Sequence, residues 1–309
     1  MLSDADDTLG GKRRLRSGRR GQGRGAQPPT FRKHLMKNVH ENIHRQLEFI
    51  EAKTLLEFHL AAPADAAGAL GLSMRNLDGI LVSVATHGNI LVNRTLGLGI
   101  RNPATRDEVA EIRRLYHSAG VARYFVHASD VAEPCPISAM LEAAGLVRDR
   151  AWMKFARGSV PVEEPDVDLE IREIGVEHAS DFGRIAATGF GLPEAAWDIP
   201  AALVGRPGWH MFMSFDGGEP AGTGALFVDN GVAWTEWGAT DPAFRRRGSQ
   251  SALLARRVNL AVARGCTLIG TCTGEQVAGE EQHSYRNIQR AGFTEIGLRH
   301  NYSPTGRPA

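Results

Sequence analysis

Trp237-Gly238-Ala239-Thr240-Asp241-Pro242-Ala243-Phe244-Arg245-Arg246-Arg247-Gly248-Ser249-Gln250-Ser251 is the stretch that decides how this chain is read. A strand-like run from Val232 to Thr240 is closed by Asp241-Pro242. A cationic turn with one glycine follows, and from Ser251 to Arg264 the apolar spacing is helical. The start of a helix leaves backbone N–H groups unpaired and presents the positive end of the helix dipole. An arginine-rich, glycine-bearing turn at that point suits a phosphate or pyrophosphate. Two other phosphate loops are excluded, since the chain has no GxxxxGK[ST] and no GxGxxG after a strand.

The turn resembles motif A of the GNAT N-acetyltransferase superfamily, [QR]-x-x-G-x-[GA], with Arg245 at its first position and Gly248 at its first glycine. Gln250 stands where the family has a second glycine or alanine. Downstream, Ala291-Gly292-Phe293 lies where family members carry a Gly-Phe element. The resemblance covers roughly Leu169 to Tyr302, and only faintly the half before it. It implies that acetyl-CoA is the co-substrate. Its pyrophosphate would lie on Arg245, Arg246, Arg247, Gly248, Ser249, Gln250 and Ser251, and its pantetheine along Trp237, Gly238, Ala239 and Thr240. Asn287 would touch the pantetheine or the adenine. No metal is expected.

Acetyl transfer to an amine needs a group that takes the amine's proton and one that returns a proton to the leaving thiolate. Glu236 is the carboxylate inside the apolar run Val232–Trp237 and shares a strand face with Trp234. By resemblance it is the expected base or amine anchor, the alternative being a solvated residue on the outer face. In the family pattern N-x-x-A-x-x-x-Y-x-x-x-G-F the acid is a tyrosine, and here Ile288 occupies that place. Tyr285, one turn earlier, and Tyr302, on an expected last strand, are the substitutes. His283, beside Glu280 and Glu281, reads as a surface residue. Asn93-Arg94, closing a strand, could face a substrate cleft or simply bond backbone.

Further from the turn, the two halves of the chain echo each other. Leu98-Gly99-Ile100-Arg101-Asn102-Pro103, a helix ending at Gly120, a strand at Tyr124–His127 and Ala144-Gly145-Leu146 parallel Trp237–Pro242, a helix ending at Gly265, a strand at Thr267–Thr271 and Ala291-Gly292-Phe293. The segment missing from the first half matches what RRRGSQ supplies. The expected fold is mixed α/β: two tandem GNAT-like domains, each a twisted mixed sheet flanked by helices, the N-terminal copy degenerate. The expected organisation is a basic tail over residues 1–36, a degenerate domain over 37–158, a Pro- and acid-rich linker over 159–168 and the acetyltransferase domain over 169–309. Within the first copy, a helix from about Asn38 to Leu60, a strand over Gly79–Val92, a helix over Thr105–Ser118 with a capping box (Thr105, Glu108) and a strand over Arg123–Ala128 are expected.

Composition sets the remaining bounds. The 309 residues suffice for two domains, and 42% hydrophobic content fits a soluble globular chain. No apolar stretch approaches a membrane span, so a cytoplasmic protein without membrane contact is expected. Cys135, Cys266 and Cys272 are odd in number and lack CxxC spacing, which excludes a disulfide framework and structural zinc. The net charge of +1 conceals an asymmetry: residues 1–37 hold ten Lys and Arg against Asp4, Asp6 and Asp7, leaving 26 basic against 32 acidic residues in the body. That tail, with its Gly-Arg texture, is expected to be disordered, and a nucleic-acid partner is not expected. The expected activity is N-acetyl (or longer acyl) transfer from acetyl-CoA to a primary amine of a small molecule or protein, by direct attack in a ternary complex. The alternatives are a catalytically silent acyl-CoA-binding regulator and a tandem-GNAT aminoacyl transferase. Monomer and homodimer both remain open.

Overall fold

The computed structural model describes residues 29–129, 131 and 137–304, with side chains from residue 39 onward. The remainder of the basic tail and Cys135 lie outside the described residues. The first helix, α1 (Pro29–Ala61), begins well before the expected start near Asn38. No helix among the described residues is long and apolar enough to cross a membrane.

Residues Val39–Ala309 form one compact unit built on a single eleven-stranded sheet. Its strands are β1 (Ser73–Leu77), β2 (Ile80–Val84), β3 (Arg94–Leu96), β4 (Phe125–Ala128), β5 (Val147–Arg157), β6 (Glu170–Glu173), β7 (Trp209–Asp216), β8 (Glu219–Asp229), β9 (Val232–Thr240), β10 (Leu268–Gly274) and β11 (Thr294–Ser303). Their order across the sheet is β1-β2-β3-β4-β11-β5-β10-β9-β8-β7-β6. The expected strand over Gly79–Val92 is in fact β2 and a loop leading to β3. Asn93 folds that loop, accepting from the Ala85 amide (2.7 Å) and donating to the His87 carbonyl (2.7 Å).

About the midline between β11 and β5 the order is palindromic, with β6 as an added edge strand that has no counterpart. In each half a parallel pair, β3–β4 or β9–β10, is joined by a crossover helix, α3 (Arg106–Ser118) or α7 (Ser249–Ala263). A second helix and a last strand follow: α4 (Ile137–Ala143) and β5, or α8 (His283–Arg290) and β11; the other α-helices among the described residues are α2 (Ala64–Leu70), α5 (Ala179–Gly189) and α6 (Asp198–Ala201). Each last strand crosses to the other half. Thus β11 pairs with β4 and β5 pairs with β10, while β5 and β11 pair antiparallel along the midline, Met153 opposite Leu298 and Trp152 opposite Arg299. Chain reversal after both crossover helices uses a left-handed glycine, Gly120 (φ 69°) and Gly265 (φ 77°), a conformation disfavoured for any residue with a Cβ. The halves are therefore interlocked through one sheet.

Helix α1 packs on the centre of that sheet. Its buried face carries Leu47, Ile50, Leu55 and Phe58, but also Glu48 and Glu51. Glu51 is fully buried and meets three cations: Arg299 Nη1 at 2.5 Å, Lys154 Nζ at 2.9 Å and Arg94 Nη1 at 3.0 Å. Glu48 takes Lys154 Nζ at 2.8 Å. These cations hold the Glu51 carboxyl well below the usual carboxylate range, overriding burial, which pushes it the other way. Both arginines also lie over Trp152, Arg299 at 5.3 Å and Arg94 at 5.6 Å.

Removing one member of a buried ion cluster leaves the others uncompensated, so Glu51→Gln is expected to lower the unfolding free energy by about 3–5 kcal/mol. Asp229→Asn, which breaks the solvated Lys53–Asp229 pair, is expected to cost under about 1 kcal/mol. Urea denaturation of the two variants beside the parent measures both.

Candidate active site

Strands β9 and β10 run parallel only as far as Trp234 and Gly270. Beyond that point β10, paired with β5 on its other edge from Ile269 onward, keeps only β5, from Thr271 with Phe155 to Gly274 with Trp152, and β9 keeps only β8. The strands separate, and a cavity of about 370 Å³ opens between them. Glu236, Trp237 and Gly238 line one side and Thr271, Cys272 and Thr273 the other. Gln250, Ser284 and Asn287 close one end, and Phe58, Arg94 and Trp152 close the opposite end. The cavity is thus built from both halves of the chain.

A bulge shapes its wall. The β8–β9 register shifts between Thr223 and Ala225, and Trp237 adopts a left-handed φ of 53°, strained for a residue with a Cβ. The indole stacks on Phe58 (5.7 Å between ring centres) and meets Phe190 edge-on (5.4 Å). Arg257 occupies the gap behind the bulge and donates to the carbonyls of Glu236 (3.1 Å), Ala225 (3.3 Å) and Leu253 (3.0 Å). Gly224 makes room for it, since a Cβ there would lie 2.8 Å from the guanidinium. Burial without a carboxylate pushes Arg257 down to about 9.

Glu236 sits where the strands part. Its side chain remains 22% exposed, toward the cavity. Burial pushes the carboxyl up to about 7; the opposing pull comes from Arg94, whose Nη2 lies 3.6 Å away, and from hydrogen bonds with Thr54 and Trp234. Opposite, burial pushes the Cys272 thiol up to about 12, so it stays protonated.

The cationic turn opens α7 as its composition suggests. Asp241 caps a short helical turn through the Ala243 amide (3.0 Å), Arg246 (φ 65°) and Gly248 (φ 81°) reverse the chain, and no side chain caps α7. The first helical bond is Ala252 N–H to Gly248 O (3.1 Å), which leaves the N–H groups of Ser249, Gln250 and Ser251 without partners inside the helix. Arg245 and Arg246 are exposed, and Arg247 is clamped by Asp216 at 2.6 and 3.0 Å.

The side chains of Ser249 and Gln250 point away from the turn and leave only their amides to it. Ser249 turns into the core against the Ser214 hydroxyl (2.8 Å). Gln250 reaches under the helix to donate to Ala239 O (2.7 Å), Thr240 Oγ1 (3.1 Å) and Thr223 O (3.2 Å). Gln250 therefore ties α7 to β9 without capping the turn, and Gly238 permits it, because a Cβ there would lie 2.7 Å from Gln250 Oε1. The Ala239 carbonyl is spent on this contact, while Trp237 and Gly238 remain on the cavity.

Neither tyrosine faces the cavity. Tyr285 is buried against Phe155 and donates to Glu295 Oε1 (2.7 Å), and the Tyr302 ring lies in the core of the first half with its hydroxyl toward Glu142. The helix period explains the first: Ser284, Asn287 and Ile288 occupy the cavity face of α8, which puts Tyr285 on another. His283 is exposed beside Glu281. Sequence reasoning missed Arg257, Cys272 and the part taken by α1, and it left Arg94 open. An acid pair at 48 and 51, three apart on the apolar face of a helix, was the signal for a buried cationic partner.

Residues 181–293 match the Acetyltransferase (GNAT) family. The fold resembles a GCN5-related N-acetyltransferase from Kribbella flavida (TM-score 0.54, 14% identity, 75% of this chain and 89% of that one). It also resembles one from Sphaerobacter thermophilus (TM-score 0.51, 14% identity, 73% and 76%). A tandem GNAT protein from the clavulanic acid biosynthesis pathway is similar to the same degree (TM-score 0.51, 15% identity, 72% and 77%). No curated protein sequence matches the chain. The C-terminal half of this chain thus carries a GNAT acetyltransferase domain, and its eleven-stranded sheet has the architecture of tandem GNAT structures.

A carboxyl held at about 7 in the folded state binds its proton more tightly than the ordinary glutamate at 4.5 in the unfolded chain. Its contribution to stability is complete below about 4.5, falls as pH rises and levels off above about 7. Stability measured by denaturation at pH 4.5, 6 and 8 is therefore expected to drop faster for the parent than for Glu236→Gln. Parallel curves would place the carboxyl at its ordinary value.

Proposed function

We propose that this chain is an N-acetyltransferase that moves an acetyl group from acetyl-CoA to a primary amine, with Glu236 taking the amine's proton. The observation that carries this reading is the position of Glu236. A carboxyl pushed up to about 7 stands where β9 and β10 part, beside the cavity and one strand away from an uncapped helix start. The residues present fit the co-substrate. The unpaired amides of Ser249, Gln250 and Ser251 and the exposed Arg245 and Arg246 suit a pyrophosphate, and the gap beside Trp237 and Gly238 suits a narrow chain such as pantetheine.

When bound, acetyl-CoA supplies a thioester carbon at which amine nitrogen replaces sulfur. Glu236 holds the incoming ammonium, takes one proton and delivers it to solvent. Trp237, Phe58 and Phe190 exclude water from that end of the cavity. The leaving thiolate finds no tyrosine. Its proton comes from the second N–H of the amine or from water at the Ser284–Asn287 end. That same lack favours a second reading, an acyl-CoA-binding protein without turnover.

Free-thiol release from acetyl-CoA with a panel of amines separates the two readings. Glu236→Gln is expected to lower kcat/KM by about 10²–10⁴-fold while leaving intact the protection that CoA gives against heat, and the parent's kcat/KM should rise with pH through about 7. Arg245→Ala with Arg246→Ala is expected to weaken CoA binding by roughly tenfold, read by calorimetry. CoA that neither binds nor protects the parent would end both readings.

A further inference from the structure

Arg94 is the least explained charge in the cavity. It is 6% exposed, lines the cavity wall, and spends Nη1 on Glu51 and its π-face on Trp152. Its Nε is buried with no hydrogen-bond partner, and its Nη2 stands 3.6 Å from Glu236, beyond a hydrogen bond. A buried guanidinium with unspent donors costs free energy unless something accepts them. Cation and carboxyl stand side by side on the cavity wall.

The charge balance points the same way. Behind the wall, Arg94, Lys154 and Arg299 face only Glu48 and Glu51, and His127, held neutral by burial, adds no charge. Glu236 is the third carboxyl to face these cations. When it holds a proton, the cluster carries one uncompensated positive charge. Arg257 offers the cavity nothing further, because main-chain carbonyls occupy it. A second cavity of about 440 Å³ meets the first at Leu91 and Phe190. The charged residue on its lining is Arg123, which has a buried, unpartnered Nε and only a 3.9 Å approach to Asp149.

We infer that the acceptor is an α-amino acid with an apolar side chain, its carboxylate held by Arg94 and its amino group by Glu236. The inference rests on the acetyl-transfer reading above. Amino and carboxylate groups borne on one carbon match a cation and a carboxylate set side by side, and the zwitterion brings to each its opposite charge. Leu91, Val92, Phe58 and Trp152 surround this pair and suit a branched or aromatic side chain. In the reaction the ammonium gives one proton to Glu236, the C–N bond forms as the C–S bond breaks, and the second nitrogen proton ends on the thiol. The substrate carboxylate stays ionised on Arg94 throughout.

The test uses the full-length protein with acetyl-CoA and three matched acceptors: phenylalanine, phenylalaninamide and phenethylamine. Leucine, leucinamide and isoamylamine form a second set. Each free amino acid is expected to exceed its amide and its decarboxylated amine in kcat/KM by about 100-fold, mostly in KM. Arg94→Met is expected to bring that ratio toward one. Arg94→Lys, which keeps the charge beside Glu51 should the methionine variant fail to fold, is expected to retain part of it. Calorimetry of phenylalanine against phenylalaninamide in the presence of CoA supplies a readout independent of turnover. Binding that prefers the free acid and depends on Arg94, without thiol release, would uphold the carboxylate site and overturn the acetyl-transfer reading. Phenethylamine or phenylalaninamide consumed as well as phenylalanine would do the reverse. The absence of both binding and turnover with every free amino acid would overturn the inference.

Discussion

Glu51 lies fully buried at the centre of the sheet, with Arg299 of β11, Lys154 of β5 and Arg94 of β3 around one carboxylate. Two of those cations sit on the strands that the halves exchange, and the third sits on the parallel pair of the first half. A carboxylate that meets all three fixes α1 against the midline and fixes the midline strands against each other. The cost of burying such charges is large, so the arrangement persists only with every member in place. The geometry of the cavity follows from it, because Arg94, Trp152 and the α1 residues Thr54 and Phe58 are all placed by this cluster while facing Glu236 from the other half.

The palindromic sheet contains two crossover helices but only one anion-ready turn. In the first half, Thr105 accepts from the Glu108 amide (3.2 Å) and the Glu108 carboxylate accepts from the Thr105 amide (2.7 Å), so α3 begins with two of its donors satisfied and a negative charge on its dipole. In the second half, α7 begins with no side-chain cap and three arginines before it. An acidic cap and a phosphate turn are opposite solutions to the same four orphan amides. The first half supplies instead the wall of the cavity and its second cation.

The turn, the helix behind it, the repeated helix-glycine-strand units and Glu236 were legible because each rests on local chemistry within a few residues. The exchange of β5 and β11 was not. A strand's alternation says which residues share a face, not which neighbour it will choose, and both last strands look equally suited to their own halves. The partners of the α1 acids were hidden for a related reason: Glu48 and Glu51 sit on the apolar face of the helix, but the cations that meet them come from three distant strands. Gln250 departs from the family pattern, and its consequence was equally non-local, since the glutamine is accommodated by an absent Cβ at Gly238 on another element. Tyr285 failed as an acid through helix phase alone, for a shift of one residue moves a side chain about a quarter of the way around the helix.

The two groups facing each other in the cavity are tuned by opposing effects, and their balance sets what the site can do. Burial alone would drive Glu236 further into its protonated form and make it useless as a base near neutrality. Arg94 alone, in water, would draw it down to where it binds protons too weakly to remove one from an ammonium. At 3.6 Å, with the guanidinium already turned toward Glu51, the cation stabilises the carboxylate only in part, and the result lies near 7. The separation of the pair therefore does chemical work that a shorter salt bridge would abolish. A closed bidentate pair would fill the cavity's polar end and hold Glu236 ionised and spent. The Glu51 carboxylate, by keeping Arg94 turned partly away, is what keeps Glu236 out of a closed ion pair.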